Sequence, residues 1–223
     1  MHKTVFSVVP EFLSPEQCDH ICEIAELAAN NSFDDGMVGS DSTGEYSDDR
    51  RCKMFWLYDS DEKYEHLEIA EDVRQIYQYV DMQFNTAKEK MGLGHWEIDD
   101  RETFQYTMYD QMGDQYNWHK DVHDEPYGEE NPEWFGKTRK LSMTIFLNDF
   151  SEYEGGAFEL ENSYLYGPND WCYRVAQFTP ESFPELKKGS AIIFPSHLFH
   201  RVTPMISGVR KSLVSWYLGP QFS

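Results

Sequence analysis

Cationic side chains and thiols are both scarce in this chain, and no long apolar run occurs in it. Its 223 residues carry 19 Lys and Arg against 40 Asp and Glu, a formal net charge of −21. Such a surplus repels bare phosphate backbones and disfavours nucleic acid as a partner. The acidic runs at 34–49, 59–72, 97–102, 121–133 and 149–161 read either as a solvated, self-repelling surface or as an attraction for a basic peptide. The four cysteines, Cys18, Cys22, Cys52 and Cys172, include no CxxC pair. Cys18 and Cys22 stand four apart in a helical pattern, where thiols act as small buried apolar residues. Disulfide staples are therefore not expected, and a chain of this length can bury roughly 70% of its unfolded surface without them. The opening MHKTVFSVVPEFL has only a short apolar run before Pro10 and Glu11. Neither a secretory segment nor a membrane span is expected, which points to a cytoplasmic, reducing setting and no membrane partner. No internal repeat is visible.

Thr4 to Val9 is strand-like. Ser14-Pro15-Glu16-Gln17 then reads as a helix start, with Ser at the N-cap, Pro in the first turn and Gln at the third position. The helix is predicted to run to about Ala29, with Cys18, Ile21, Cys22, Ala25 and Ala28 on one face. Segment 31–50, rich in Asn, Asp, Gly and Ser, reads as a mobile acidic loop where a lid could be. A strand at 52–58 precedes a long helical pattern from about Tyr64 to Met91, stopped by Gly92. Beyond Gly94 the apolar period changes to two, giving candidate strands at 102–109, 139–147, 156–161, 188–194, 198–203 and 209–218. The predicted fold is mostly β with helical support, an α+β arrangement. Residues 101–220 would form a double-stranded β-helix, or jelly roll, and 1–95 a helical and strand support region packed on it, in one domain over 1–223.

The chemistry concentrates in the strand-rich half. His119-Lys120-Asp121 puts an imidazole and a carboxylate two residues apart, so on an extended segment both project from one face. A second imidazole must come from elsewhere, and His200, in FPSHLFHRVTP, is well placed. Two histidines and one carboxylate leave open positions on a metal, the arrangement of non-haem Fe(II) oxygenases. Alone this is a weak pattern, since zinc or a satisfied core histidine explains it too. Arg210, ten residues beyond His200, strengthens it. Alternation along GVRKSLVSWYL puts Arg210, Ser212, Val214 and Trp216 on one face, and arginine suits a two-pronged grip on a carboxylate. A dicarboxylate chelating a metal at one end could be held by Arg210 at the other.

With these residues in view, the C-terminal half resembles the 2-oxoglutarate/Fe(II) dioxygenases, above all the prolyl 4-hydroxylase-like branch with its PKHD-type members. Tyr109-Asp110-Gln111-Met112-Gly113, Tyr116 and His119-Lys120-Asp121 resemble that family's approach to its first two iron ligands. Leu147-Asn148 and Tyr153-Glu154-Gly155-Gly156 are similar to its LN…YxGG turn. The run from Lys188 to Ser196, then His200-Arg201-Val202-Thr203-Pro204 and Gly208-Val209-Arg210, looks like its distal-histidine and arginine segment.

The resemblance covers about 104–218. It implies His119, Asp121 and His200 as metal ligands, Arg210 as partner of the distal carboxylate of 2-oxoglutarate, and Tyr109 as a hydroxyl in the same pocket. Thr144 and Phe146 would fall on a strand that lines the cosubstrate, Trp118 and Trp216 would wall the site, and His123 and His197 would lie outside it. The cofactors implied are Fe(II), 2-oxoglutarate and O2, with ascorbate to return oxidised iron to Fe(II). The reaction implied is hydroxylation of a substrate C–H with release of succinate and CO2. Related halogenases lack a carboxylate at the position of Asp121, so its presence speaks for hydroxylation. A protein or peptide substrate is expected, basic or proline-containing, with a prolyl or other amino-acid residue as target. Two alternatives stay open: a nucleic-acid demethylase of the same superfamily, opposed by the charge and by Trp216 where that group carries a second arginine, and a non-catalytic metal-binding jelly-roll module.

Overall fold

The computed structural model describes residues 6–30, 33–35, 50–64, 69–93, 96–161 and 175–221. Strand β1 (Ser7–Val9) leads into helix α1 (Pro15–Ala29). This helix starts where its sequence predicts. Ser14 Oγ accepts from the Gln17 amide at 3.2 Å and Gln17 Oε1 from the Ser14 amide at 2.9 Å, satisfying two N–H groups that the helix itself leaves over. It ends at Asn30, whose left-handed backbone (φ 41°) breaks the ladder.

Short strands β2 (Asp34–Asp35), β3 (Arg50–Arg51) and β4 (Lys53–Leu57) follow, then the single-turn α2 (Asp61–Tyr64) and the long α3 (Ala70–Lys90). The single helix expected from about Tyr64 to Met91 is thus two helices, with 65–68 outside the described residues. Gly92, at φ 71°, stands at the predicted stop. The expected acidic lid over 31–50 lies largely outside the described residues; within it, Asp34 and Asp35 pair with Met54 and Lys53, and Arg50 belongs to β3.

The strand-rich half contributes β5 (Asp100–Arg101), β6 (Phe104–Tyr109), β7 (Gln115–His119), β8 (Lys137–Phe146), β9 (Tyr153–Gly155) and β10 (Phe158–Glu161). After it come β11 (Val175–Phe178), β12 (Ala191–Pro195), β13 (His200–Val202), β14 (Met205–Gly208) and β15 (Arg210–Pro220). The major sheet runs β1-β12-β8-β15-β6-β4-β2, with β5 on the end of β15, and the minor sheet runs β11-β10-β13-β7-β3. All pairings are antiparallel. The two sheets form the jelly-roll core, and α1 and α3 back the major sheet.

Each face of the major sheet has its own apolar cluster. On the helix side, Ile21, Ile24, Val73, Ile76, Val80 and Phe84 meet Leu141, Ile145, Leu213 and Tyr217. Burying each such side chain contributes about 1.5–3 kcal/mol. Tyr77 ties α3 to this sheet through its hydroxyl, which donates to Leu57 O at 2.5 Å and accepts from the Phe104 amide at 3.0 Å. Burial pushes the thiols of Cys18 and Cys22 up to about 12 and about 11, as inert core residues require. Between the sheets, Tyr109, Phe146, Phe158, Leu160, Phe178, Ile192, Phe194 and Val202 form the second cluster. Among the described residues no helix is long and apolar enough to cross a membrane.

Candidate active site

The site opens between the two sheets. His119 ends β7 and His200 begins β13, and the two pair directly in the antiparallel register. The next pair is Val202 with Tyr116, so three steps on β7 match two on β13. That extra residue is a β-bulge, which shifts the in-out phase of a strand. Strict alternation from His119 would turn Tyr116 outward; with the bulge both line the cavity, their rings stacked at 3.4 Å between centroids. Trp118, expected to wall the site, is carried outside instead: it is 38% exposed, with the Arg201 guanidinium carbon 4.9 Å from its ring centre.

Asp121 lies just past the end of β7 in a bend rather than on extended strand. Its amide donates to Ser196 O at 3.0 Å, the following amide of Val122 donates to the same oxygen at 3.2 Å, and Arg139 Nη1 donates to Asp121 O at 3.1 Å. Three hydrogen bonds thus fix the main chain beneath the carboxylate.

The histidine rings are equally constrained. His119 Nδ1 is 2.7 Å from Asn117 O and His200 Nδ1 is 3.1 Å from Leu198 O. A carbonyl only accepts, so each Nδ1 carries a proton, which leaves each Nε2 as the atom available to a metal. These Nε2 atoms lie 3.7 Å and 3.4 Å from the two oxygens of Asp121, and ligand atoms of all three residues lie within 4.8 Å of one another. Burial, aided by the neighbouring His200, pushes His119 down to about 3, so it stays neutral. Burial alone would raise the Asp121 carboxyl, but His200, His119 and Arg139 together hold it well below the usual carboxylate range. Two imidazoles and one carboxylate, with ligand atoms converging, suit a divalent cation whose bonds to such ligands are about 2.1 Å.

Arg210 sits on the opposite wall, 1% exposed. It pairs in register with Tyr109, and its guanidinium carbon is 5.4 Å from the ring centres of both Tyr109 and Phe146. Nη1 donates to Ser212 Oγ at 3.1 Å, while Nε and Nη2 have no partner among the described residues. A buried guanidinium with idle donors is costly unless an anion completes it. The donor set therefore fits a dicarboxylate. Gly156, at φ 60°, lies against this side chain: an added Cβ would meet Met205 Sδ and come within 3.1 Å of Arg210 Cδ. The expected tight turn at Gly155-Gly156 thereby also packs Arg210.

Of the expected residues, His119, Asp121, His200, Arg210, Tyr109, Thr144, Ser212, Val214 and Trp216 all line this one cavity. His123 and His197 line a separate depression beside Arg139. Sequence reasoning missed Arg50, Gln105 and Arg139. Arg139 forms a two-pronged ion pair with Glu102, Nε to Oε1 and Nη2 to Oε2 at 2.5 Å each, and its guanidinium carbon is 4.1 Å from the Trp216 ring centre. Its position at the start of a predicted strand was legible, but its partner, far off in sequence, was not.

The profile of the 2OG-Fe(II) oxygenase superfamily matches residues 104–218, just over half of the chain, and the chain belongs to that superfamily. A PKHD-type hydroxylase of Synechococcus sp. (strain CC9902) is 35% identical over 106 residues, covering 48% of this chain and 37% of that protein. This chain thus matches little more than a third of that relative's length. Among solved structures, a prolyl hydroxylase from Trichoplax adhaerens, in complex with a hypoxia inducible factor oxygen degradation domain peptide fragment, superposes with a TM-score of 0.63 at 16% identity, over 96% of this chain and 83% of that one. A Pseudomonas putida prolyl-4-hydroxylase gives 0.58 at 16% identity, over 98% and 94%. At such identities the likeness establishes the jelly-roll fold.

Proposed function

We propose that this protein is an Fe(II)- and 2-oxoglutarate-dependent dioxygenase that hydroxylates a C–H bond of a prolyl or other amino-acid residue in a protein or peptide. The observation that carries the reading is one cavity holding both a convergent His119–Asp121–His200 triad and a buried Arg210 with idle donors. The PKHD-type relatives and the prolyl hydroxylase neighbours support the substrate class.

In this mechanism His119 Nε2, His200 Nε2 and an Asp121 oxygen would hold the metal. Among the described residues no fourth side chain joins them, which leaves room for the cosubstrate. Arg210 would hold the distal carboxylate of 2-oxoglutarate with its idle donors Nε and Nη2, and Tyr109 would wall its chain. Phe158, Phe194 and Val202 keep water from the reacting centre. Iron bound there would, with 2-oxoglutarate and O2, supply the oxidising chemistry for hydroxylation of a substrate C–H, with succinate and CO2 as coproducts. Ascorbate would restore Fe(II) after unproductive turnovers. Residues 1–223 act as one catalytic domain, with 101–220 carrying the site and 1–95 supporting it.

The test is anaerobic titration of metal-free protein with Fe(II) and then 2-oxoglutarate, following the weak visible charge-transfer band of the chelate. The band is expected in wild type and absent in Asp121→Ala and His200→Ala. Iron binding without the band would overturn the reading in favour of a metal-binding module.

A further inference from the structure

Arg50 is a second buried guanidinium in the same cavity, and the mechanism above does not use it. It is 8% exposed and reaches from β3, at the edge of the minor sheet, toward the major one. Nη2 donates to Gln105 Oε1 at 2.7 Å, Nε donates to Cys52 Sγ at 3.3 Å, and the guanidinium carbon is 4.6 Å from the Tyr116 ring centre. All three partners are neutral; burial keeps the Cys52 thiol protonated. Arg139, the neighbouring buried arginine, has Glu102 as its counter-charge, but Arg50 has no carboxylate within ion-pair distance among the described residues. Its Nη1 likewise makes no hydrogen bond among them.

Arg50 and Arg210 enter the cavity from different strands, β3 and β15, and both guanidinium charges act on Tyr109. Arg210 pairs with Tyr109, whereas Gln105, which holds Arg50, pairs with Val214. Four residues of strand separate those anchors by about 13 Å. Trp216, two residues beyond Val214, adds a buried indole Nε1 without an acceptor among the described residues. Under the oxygenase reading, on which this inference rests, a divalent metal, Asp121, Arg210 and a dicarboxylate sum to zero formal charge. Arg50 then has no compensating anion among the described residues, a costly state for a buried guanidinium unless a further anion enters.

We propose that Arg50 receives a carboxylate of the substrate itself, so that the compound oxidised is a free amino acid or a C-terminal residue rather than an internal residue of a chain. The anion would close the charge balance only once the substrate is seated, and a neutral amide in its place would leave Arg50 uncompensated. This makes Arg50 a specificity-determining residue.

The test uses the smallest carboxylate and its neutral counterpart, formate and formamide, titrated into protein loaded with Mn(II) and 2-oxoglutarate, with thermal melting as readout. Formate is expected to stabilise wild type saturably and formamide is not. The formate affinity should fall roughly tenfold or more in Arg50→Gln, about 1.4 kcal/mol, and recover in part in Arg50→Lys. L-proline and glycyl-L-proline, titrated in the same way, distinguish the free from the C-terminal form. Equal responses to formate and formamide, or a formate response unchanged in Arg50→Gln, would overturn the proposal. The charge-transfer band for 2-oxoglutarate, measured on the same variants, judges the oxygenase reading separately: it should persist in Arg50→Gln, and its loss there would reassign Arg50 to the cosubstrate.

Discussion

His119 and His200 face each other as direct register partners across β7 and β13, with ring centroids 4.1 Å apart. Segments distant in sequence are therefore locked together by main-chain pairing before any metal arrives. Each ring is also fixed by a carbonyl two residues upstream, Asn117 O and Leu198 O. Such pre-ordering lowers the entropy that a metal must supply on binding.

Replacing Arg210 by alanine should act on the cosubstrate rather than on the metal. Charge-assisted hydrogen bonds contribute about 1.5–3 kcal/mol each, so the dissociation constant of 2-oxoglutarate should rise at least tenfold while Fe(II) affinity stays near wild type. Titrating 2-oxoglutarate against Arg210→Ala loaded with Fe(II) checks this, and an unchanged constant would remove Arg210 from its assigned role.

Gly156→Ala probes the same pocket from behind. A side chain in the left-handed region costs about 1–2 kcal/mol, and here the new methyl also presses on Met205 and Arg210. A lower melting temperature together with weaker 2-oxoglutarate binding is expected. A melting change alone would mean that Arg210 moves freely.

Glu102→Ala removes the counter-charge of Arg139, whose Nη1 holds the Asp121 carbonyl. Breaking a buried pair costs about 3–5 kcal/mol, and loss of support behind a ligand typically weakens metal binding about 10–100-fold. Chemical denaturation and metal titration of the variant measure both. Full metal affinity in a destabilised variant would confine the pair to a structural role.

Acid should destabilise the metal-free protein through His119. Its folded value lies near 3, against about 6.5 for a free histidine. Between those values the unfolded chain binds the proton more readily, so stability falls as pH drops from about 6.5 toward 3. Asp121, also lowered in the folded state, adds a loss of the same sign at still lower pH. Melting temperatures across this window should fall less steeply for His119→Gln than for wild type.

Much of this architecture is legible in the sequence where local rules suffice. The capping pair Ser14 and Gln17 marks the start of α1, and alternation along β15 puts Arg210, Ser212, Val214 and Trp216 on the wall they occupy. Strand β7 is absent from the predicted strands because Gln115–His119 has no clean period of two, and its bulge breaks what alternation there is. Trp118, next to the inward-facing His119, is turned outward by alternation itself. Arg50 escapes notice for another reason: it belongs to a two-residue strand, and its place in the cavity is set by pairing with Tyr116, which no local pattern encodes.

The bulge also decides which change in chain length the site can absorb. Removing Asn117 would leave Tyr116 and His119 two residues apart, and in a regular pleat such residues face the same way, so both would still point inward. The deletion would instead take away Asn117 O, the carbonyl that fixes the His119 ring. Loss of one residue here should thus disturb the orientation of the ligand rather than its presence in the cavity.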